Sequence, residues 1–219
     1  MDRYATYAGS KTNAEYYGDA CELPFYESSL DYVASSHLLE HSANPLAALK
    51  EWFRVLKHGG YMYMVIPDYR ETFDHPRALT TVEHMLDDYR NNTGMNDPTH
   101  VEEFSYGVDW KMFSPDSNPE DEEKERKAYF EARINDIKTW GDVNIHFHTF
   151  RSSSCVELIE TGNKERIWPG QIEVVEVIEK FPDWDDIGFL VVAKANKNRL
   201  RRFSAAFSKK GLRPDARKL

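Results

Sequence analysis

The sequence contains little cysteine and no long apolar run. Cys21 and Cys155 are the only cysteines among 219 residues, and neither lies in a CxxC pair. We therefore expect reduced, structural thiols rather than a disulfide framework. No apolar stretch approaches the ~20 residues that cross a bilayer, and the N-terminus MDRYATYAGSKTN lacks the apolar centre of a signal peptide. These absences predict a cytoplasmic protein.

Acidic residues dominate most of the chain, whereas its C-terminal end is basic. The formal net charge is −9, yet the residues from Lys194 onward include ten Lys or Arg and a single acid, Asp215. The rest of the chain has 18 basic and 36 acidic residues. A phosphate backbone would be repelled over most of such a surface, so nucleic-acid binding is not expected.

The basic tail, residues 195–219, has a helical pattern. Leu200, Phe203 and Phe207 fall on one side of a helix, with Lys and Arg residues along its flanks. Such a helix can dock on the acidic body or on a neighbouring subunit, or it can make peripheral contact with an anionic membrane. We rank docking ahead of membrane contact, and a solvated terminus is the alternative to both.

The first part of the chain alternates between strand and helix patterns. The apolar run Leu30–Ser36 predicts a strand, Asn44-Pro45 is a typical helix start, and Tyr61–Ile66 predicts a second strand. We expect the helix to end at Gly59-Gly60. Its apolar face consists of Leu46, Leu49, Phe53 and Leu56. This order predicts a βαβ unit with parallel strands.

Helix caps mark the middle of the chain. Thr80 and Glu83 form a capping-box pattern that predicts a helix to Tyr89, and Asp97-Pro98 predicts the start of another. The charged stretch 119–140 predicts a solvated helix, because acidic residues fill its first turn. Near the end, the β-prone runs 172–180 and 187–194 are joined by a short connection, which predicts an antiparallel hairpin.

Five short motifs follow one another between Gly18 and Asp68. They are an acid with a small residue (Asp19-Ala20), a Leu-Pro-Phe turn (Leu23–Phe25), a Ser-x-Asp strand start (Ser29–Asp31), a His-x-x-Glu-His element (His37–His41) and an Arg-Val-Leu-x-x-Gly-Gly element (Arg54–Gly60). In this order and at this spacing they resemble the latter half of a class I S-adenosylmethionine-dependent methyltransferase domain of the type 11-like kind.

Later stretches resemble a subgroup of that family. TFDHPRALTTVEHMLDDY, DPTHVEEF and VNIHFHTF are similar to methyltransferase-like proteins of polysaccharide biosynthesis clusters. The resemblance implies an α/β fold with a Rossmann-like, mostly parallel sheet that ends in an antiparallel hairpin. It implies a partial methyltransferase domain at residues 1–194, with a helical insertion at about 70–142, followed by the tail.

The family's first strand and glycine-rich cofactor loop have no counterpart in this sequence. Gly9 is isolated, and Gly18 belongs to the Asp19 motif. We therefore expect an N-terminally truncated domain with impaired cofactor binding, which is either a fragment of an active enzyme or a natural remnant. Without the first strand, Leu30–Ser36 would have an unpaired edge, so we expect self-association or coverage of that edge by the N-terminal segment.

The resemblance implies S-adenosylmethionine as the cofactor and a set of residues around it. Asp19 would accept a hydrogen bond from the adenine amino group, although a carboxylate that caps its own turn is the alternative. Asp2 would bind the ribose hydroxyls, and the segment after the first predicted strand would pass beneath the methionine part. The implied cofactor-binding residues are Asp2, Asp19, Ala20, Cys21, Ser36, His37 and Leu38.

Two histidines of the same segment are candidate catalytic residues. His37 or His41 would act as a general base on an acceptor hydroxyl, and the alternative role is a hydrogen bond that holds the loop. The His-x-x-Glu-His spelling also occurs in zinc peptidases, which carry both histidines on one continuous helix. A predicted strand precedes His37 and the next helix starts only at Pro45, so a zinc peptidase is not expected.

Four more histidines form a second group: His84, His100, His146 and His148, with Glu83, Glu102 and Glu103 nearby in the sequence. His146 and His148 alternate in a β-prone run, so both can face the same way and line a pocket. For this group we rank structural hydrogen bonding first, pocket lining second and metal binding last, and we predict no metal ligands.

The preferred function is methyl transfer from S-adenosylmethionine to a small-molecule or saccharide acceptor. Two alternatives belong to other classes of protein. A non-catalytic methyltransferase-like binding or scaffold protein is favoured if the sequence naturally lacks the cofactor loop, and a metal-dependent hydrolase would use the histidines.

Overall fold

The computed structural model describes residues 18–184 and 186–197. Its strands are β1 Leu30–Ser36, β2 Leu56–Pro67, β3 Gly170–Ile178 and β4 Gly188–Lys197. They form one mixed sheet in the order β1-β2-β4-β3, in which β1 and β2 are parallel and β4 is antiparallel to both of its neighbours. The predicted α/β fold, with a parallel pair and a closing antiparallel hairpin, is confirmed.

The helices lie between β1 and β2 and, in larger number, between β2 and β3. They are α1 Pro45–Val55, α2 Val82–Asn91, α3 Pro98–Gly107, α4 Trp110–Phe113, α5 Glu122–Trp140 and α6 Ser152–Lys164, with 3-10 turns at Leu39–His41, Tyr69–Glu71 and Pro119–Asp121. In the part of the chain that is described, none of these helices is long and apolar enough to span a bilayer.

Helix α1 connects the two parallel strands. Asn44 caps it, because its Oδ1 accepts a hydrogen bond from Ala47 N at 3.0 Å. The helix ends at Val55, and β2 begins at the next residue, so the prediction that Gly59-Gly60 would end the helix is wrong. These glycines lie inside β2, where a Cβ on Gly60 would come within 2.9 Å of Asp31 O. Gly60 therefore allows β2 to approach β1 closely.

The hairpin at the end of the chain completes the sheet. Strand β4 lies between β2 and β3, with Tyr61 opposite Lys194 and Pro67 opposite Gly188. It continues to Lys197, which lies three residues beyond the domain boundary that we predict from the sequence. The predicted tail helix and Asp2 lie outside the described residues.

Two hydrophobic cores hold the fold together. The first packs α1 and α6 against the sheet and includes the fully buried Trp52, Phe53, Met64 and Leu158. The second joins the helices between β2 and β3 to the segment 143–150, which has no regular secondary structure. Its buried residues include Val101, Phe104, Trp110, Val143 and Phe147.

The caps of the middle helices agree with the sequence except at one residue. Asp97 caps α3 as predicted, but α2 is capped by Thr81, whose hydroxyl accepts a hydrogen bond from His84 N. The prediction that Thr80 caps this helix is wrong, because Thr80 is paired through its hydroxyl and its backbone N–H with Thr149 Oγ1. Helix α5 has no buried residue, as expected for a solvated helix.

Strand β1 forms an edge of the sheet in the described residues. It pairs with β2 on one side only, and its Tyr32 side chain is 63% exposed. The carboxyl end of β1 lies beside that of β2, since Ser36 is opposite Val65 in the parallel register. Ligands of open α/β folds bind at such carboxyl ends, so the loop after β1 is the place to look for a site.

Candidate functional site

The loop from Ser36 to His41 leaves the sheet in a sharp turn. His37 has a left-handed backbone, with φ 49°, and its N–H donates a hydrogen bond to Val65 O at 2.9 Å. A single 3-10 turn, Leu39–His41, follows. His37 and His41 therefore do not share a continuous helix, and the geometry of a His-x-x-Glu-His zinc peptidase is missing from this segment.

A buried carboxyl group lies between these two histidines. Glu40 is 1% exposed, and neither of its carboxylate oxygens has a hydrogen-bond partner in the described part of the chain. Its Oε1 lies 3.7 Å from His37 Nδ1 and 3.9 Å from His41 Nε2. Burial raises the pKa of Glu40 to about 8. A protonated carboxyl is therefore the main form at neutral pH.

The two candidate catalytic histidines differ in their surroundings. The His37 side chain is 38% exposed, whereas His41 packs its ring edge-on against His146 with centroids 4.6 Å apart. Burial, helped by His146, lowers the pKa of His41 to about 4. His41 is thus neutral and weakly basic at pH 7, and His37 is the more accessible of the two to a substrate.

The predicted adenine-binding turn is anchored on α1. Asp19 Oδ1 accepts a hydrogen bond from Cys21 N at 2.7 Å, so the carboxylate does cap its own turn, as the alternative role required. Trp52 Nε1 donates to Ala20 O at 3.1 Å. Burial, and secondly the Asp19 carboxylate, raise the pKa of the Cys21 thiol to about 12. The carboxylate of Asp19 retains the capacity to accept further hydrogen bonds.

A groove of about 300 Å³ beside β1 is lined by residues of both the turn and the loop. Ala20 of the turn and Leu38 of the loop both line it, together with Phe25, Tyr32 and Trp52. The structure thus brings two of the predicted cofactor-binding elements to one apolar groove. Asp2, the predicted ribose ligand, lies outside the described residues.

The second group of histidines divides between two aspartates that we did not predict as site residues. His148 Nε2 lies 3.0 Å from Asp88 Oδ2, and His84 and His100 converge on the same oxygen. His146 Nδ1 instead lies 2.5 Å from Asp74 Oδ2. The prediction that His146 and His148 face one pocket is wrong, because the segment 143–150 is not a strand.

A signal for one of these aspartates exists in the sequence. Asp88 follows His84 by four residues in a predicted helix, which places both on one helical face. Asp74 carries no such signal toward a histidine, since its partner His146 lies 72 residues away and meets it only in the folded chain. Two of the glutamates near the histidines in sequence form ion pairs with arginines, Glu83 with Arg90 and Glu103 with Arg77.

Sequence comparison connects the first of these sites to a known family. The model of a family described as a methyltransferase domain matches residues 2–64, which include the turn at Asp19, β1, the loop to His41, α1 and most of β2. Residues 2–64 are therefore similar to methyltransferase-domain sequence. The match agrees with the resemblance that the five motifs carry, and it covers both walls of the groove.

Individual methyltransferases are similar over shorter or more divergent stretches. A demethylmenaquinone methyltransferase from Staphylococcus aureus is 52% identical over 44 residues, which are 20% of this chain and 18% of that protein. The chain thus matches less than a fifth of that relative's length.

Solved structures of methyltransferases are similar at low identity. An S-adenosylmethionine dependent methyltransferase from Mesorhizobium loti is 15% identical, with 87% of this chain and 73% of that one covered and a TM-score of 0.41. A chain of the complex between the Haloferax volcanii Trm112 methyltransferase activator and a putative methyltransferase is also 15% identical, with 88% and 67% covered and a TM-score of 0.42.

Proposed function

We propose that this chain acts in S-adenosylmethionine-dependent methyl transfer to a small-molecule or saccharide acceptor. The observation that carries the proposal is that the segment matching the methyltransferase domain supplies both the Asp19–Cys21 turn and the Ser36–Leu38 loop, and that these two elements border one groove. The groove lies along β1 toward the carboxyl ends of the parallel pair, where α/β folds bind their ligands.

The residues present fit one end of the cofactor. Apolar side chains such as Leu38 and Phe25 suit a flat adenine ring, and the Asp19 carboxylate suits its exocyclic amino group because a carboxylate only accepts hydrogen bonds. Ala20 and Cys21 would meet the ring edge through their backbone. When bound, S-adenosylmethionine supplies an activated methyl group on a sulfonium leaving group.

The protein would provide orientation and a base at the acceptor. We assign proton removal from an acceptor hydroxyl to His37, since it is partly exposed at the end of β1. Glu40 lies 3.7 Å from His37 Nδ1 and would position the imidazole from its buried side. His41 would contribute to the shape of the loop rather than to proton transfer, because its pKa is lowered to about 4.

A non-catalytic methyltransferase-like binding or scaffold protein is the second candidate. The observation that favours it is that Ala20 and Leu38 line the groove, whereas His37, the proposed base, is not among the lining residues. The metal-dependent hydrolase is less well supported, because His37 and His41 are not on one helix.

Calorimetric titration with S-adenosylhomocysteine tests the proposal. We expect residues 1–219 to bind weakly or not at all, and the chain extended upstream by a glycine-rich cofactor loop to bind tightly. In the extended chain, Leu38→Arg should weaken binding at least tenfold, because it places a charge in the groove. Ile178→Arg is the matched control, since Leu38 and Ile178 are 39% and 37% exposed and Ile178 lies on β3.

Three results would contradict parts of the proposal. Submicromolar affinity of residues 1–219 for S-adenosylhomocysteine would overturn the expectation that cofactor binding is impaired. No binding of S-adenosylhomocysteine by the extended chain would overturn the cofactor assignment. Tight binding by the extended chain without methyl transfer to any saccharide or small-molecule acceptor would favour the non-catalytic protein.

A further inference from the structure

Four side chains from three separate segments converge beside the second core. His84 and Asp88 lie one turn apart on α2, His100 lies on α3, and His148 lies in the segment 143–150. One ligand atom from each of them falls within 4.8 Å of all the others. Asp88, His100 and His148 are buried, whereas the His84 side chain is 45% exposed.

Four of the six distances between these atoms lie close to those between the ligands of a tetrahedral metal ion. Asp88 Oδ2 lies 3.0 Å from His148 Nε2, 3.3 Å from His84 Nε2 and 3.7 Å from His100 Nε2. The Nε2 atoms of His84 and His100 are 3.1 Å apart. Bonds of about 2.0–2.1 Å in a tetrahedron place neighbouring ligand atoms about 3.3 Å apart.

Two of the histidines are oriented from behind by oxygen atoms. His100 Nδ1 lies 3.1 Å from Asp97 Oδ1, and His148 Nδ1 lies 3.0 Å from Ser42 O. A carboxylate or carbonyl oxygen only accepts, so both Nδ1 atoms carry the proton. In the neutral ring, each Nε2 then presents its lone pair to the centre of the cluster. This is the arrangement found behind metal-binding histidines.

That orientation determines which atoms of His148 and Asp88 face each other. With Nδ1 protonated, the Nε2 of a neutral His148 has a lone pair that faces the Asp88 oxygen at 3.0 Å. Two acceptors at this distance repel each other. A cation between them turns the repulsion into two bonds.

We propose that His84, Asp88, His100 and His148 bind one divalent transition-metal ion, with Zn²⁺ as the best match to three imidazole nitrogens and one carboxylate oxygen. Four protein ligands close the coordination sphere, so the ion has a structural role and activates no water. The exposed His84 gives the ion a route from solvent. The ion would fasten α2, α3 and the segment 143–150 to one another.

A second group, Glu40, His41 and His146, also has ligand atoms close together. It offers three ligand atoms rather than four, and His146 Nδ1 is already engaged by Asp74 at 2.5 Å. This group is the competing location for a bound ion, and the test distinguishes the two.

Zinc binding by the untagged chain of residues 1–219 tests the site. The protein is stripped with a chelator, titrated with Zn²⁺ against a chromophoric chelator, and its metal content is measured by mass spectrometry. We expect one equivalent of zinc in the wild type and at least a tenfold loss of affinity in His84→Ala. Asp97→Asn, which keeps a side chain able to cap α3 but removes the charge behind His100, should weaken binding about 10–100-fold.

Matched controls separate metal loss from misfolding. His84→Ala should keep its circular dichroism, since His84 is half-exposed. His75→Ala is the control histidine, because His75 is exposed to the same extent, 46%, and pairs with Asp109. It should bind zinc as tightly as the wild type, as should His41→Ala. Co²⁺ in place of Zn²⁺ should give the visible absorption of a tetrahedral site in the wild type and lose it in Asp88→Asn.

The proposal is overturned by any of three results. These are less than a tenth of an equivalent of zinc in the wild type, an affinity in His84→Ala equal to that of the wild type, or loss of the ion in His41→Ala. None of these measurements depends on cofactor binding or on methyl transfer.

Discussion

Arg77 Nη1 lies 2.7 Å from Asp74 Oδ1, and both side chains are almost completely buried. The same guanidinium donates to His146 O at 3.0 Å and to Phe147 O at 3.2 Å. Asp74 uses its other oxygen to contact His146 Nδ1. The pair therefore holds the segment 143–150 against the residues that follow β2, through backbone carbonyls as well as charges.

Removing the guanidinium should destabilise the protein strongly. Arg77→Ala leaves the Asp74 carboxylate and two carbonyls buried with fewer partners, so we expect a loss of about 3–5 kcal/mol in the free energy of unfolding. Urea denaturation followed by circular dichroism measures it. Arg90→Ala is the control, because Arg90 is 52% exposed beside Glu83 and Asp87, and it should cost less than about 1 kcal/mol. Equal losses in the two variants would contradict the prediction.

Much of the fold follows from local sequence signals. The bounds of β1 agree with the apolar run Leu30–Ser36, and Asn44-Pro45 starts α1 as predicted. Both depend on neighbouring residues, through side-chain alternation and capping. The end of α1 was not predictable in this way, since Gly60 serves the close approach of β2 to β1 rather than a helix terminus. That contact joins residues far apart in the chain.

The candidate sites were less predictable than the fold. The loop from Ser36 to Leu38 and the turn at Asp19 were identified through motifs; Leu38 and Ala20 line one groove, and the cofactor-binding role of both elements stays a prediction. The partners of His148 were not identified from the sequence, because Asp88 lies 60 residues away from it. Alternation suggested a strand at 143–150, but tertiary hydrogen bonds decide the direction of its side chains.

Both thiols should resist alkylation in the folded protein. Burial raises the pKa of Cys155 to about 12, and burial with the Asp19 carboxylate raises that of Cys21 to about 12. Since the thiolate is the reactive form, labelling at pH 8 should be about a thousandfold slower than for an ordinary thiol and should rise only toward pH 12. Iodoacetamide labelling followed by intact mass measures this.

An engineered thiol on the same helix controls the labelling experiment. Ser153 lies on α6 and is exposed, two residues before Cys155. Ser153→Cys should react readily in the native state, and all three thiols should react in denaturant. Labelling of Cys21 or Cys155 at the rate of the engineered cysteine would show that the burial described for them is wrong.

Glu40 should make the protein less stable as the pH rises through neutrality. Its pKa is about 8 when folded, against an ordinary value of 4.5, so the folded state holds a proton that the unfolded state releases. The favourable contribution is complete below pH 4.5 and is lost progressively up to about pH 8. Glu40→Gln removes this dependence, and we expect it to gain a few kcal/mol relative to the wild type between pH 5 and pH 8.

The titration of His41 limits the pH range in which a change in stability can be assigned to Glu40 alone. The pKa of His41 is lowered to about 4, so the stability that depends on neutral His41 rises with pH up to its ordinary value of 6.5 and is constant above it. The comparison of Glu40→Gln with the wild type is therefore made from pH 6.5 to 8.5. Glu157→Gln, on an exposed part of α6, should show the pH dependence of the wild type. A Glu40→Gln curve parallel to the wild type would refute the prediction.

The outer edge of β1 should be covered in solution. In the described residues β1 pairs only with β2, and an exposed strand edge with apolar neighbours such as Tyr32 and Leu38 favours pairing with further chain. We expect self-association or coverage by the N-terminal segment, and in either case slow hydrogen exchange at the amides of β1. Sedimentation velocity distinguishes these outcomes, because only self-association changes with concentration.

Tyr32→Lys, which adds a charge at the edge, should weaken self-association, whereas Trp140→Lys, equally exposed at 63% but on α5, should not. A monodisperse monomer whose β1 amides exchange as fast as unstructured ones would contradict the prediction, since the edge would then be stable while open to solvent.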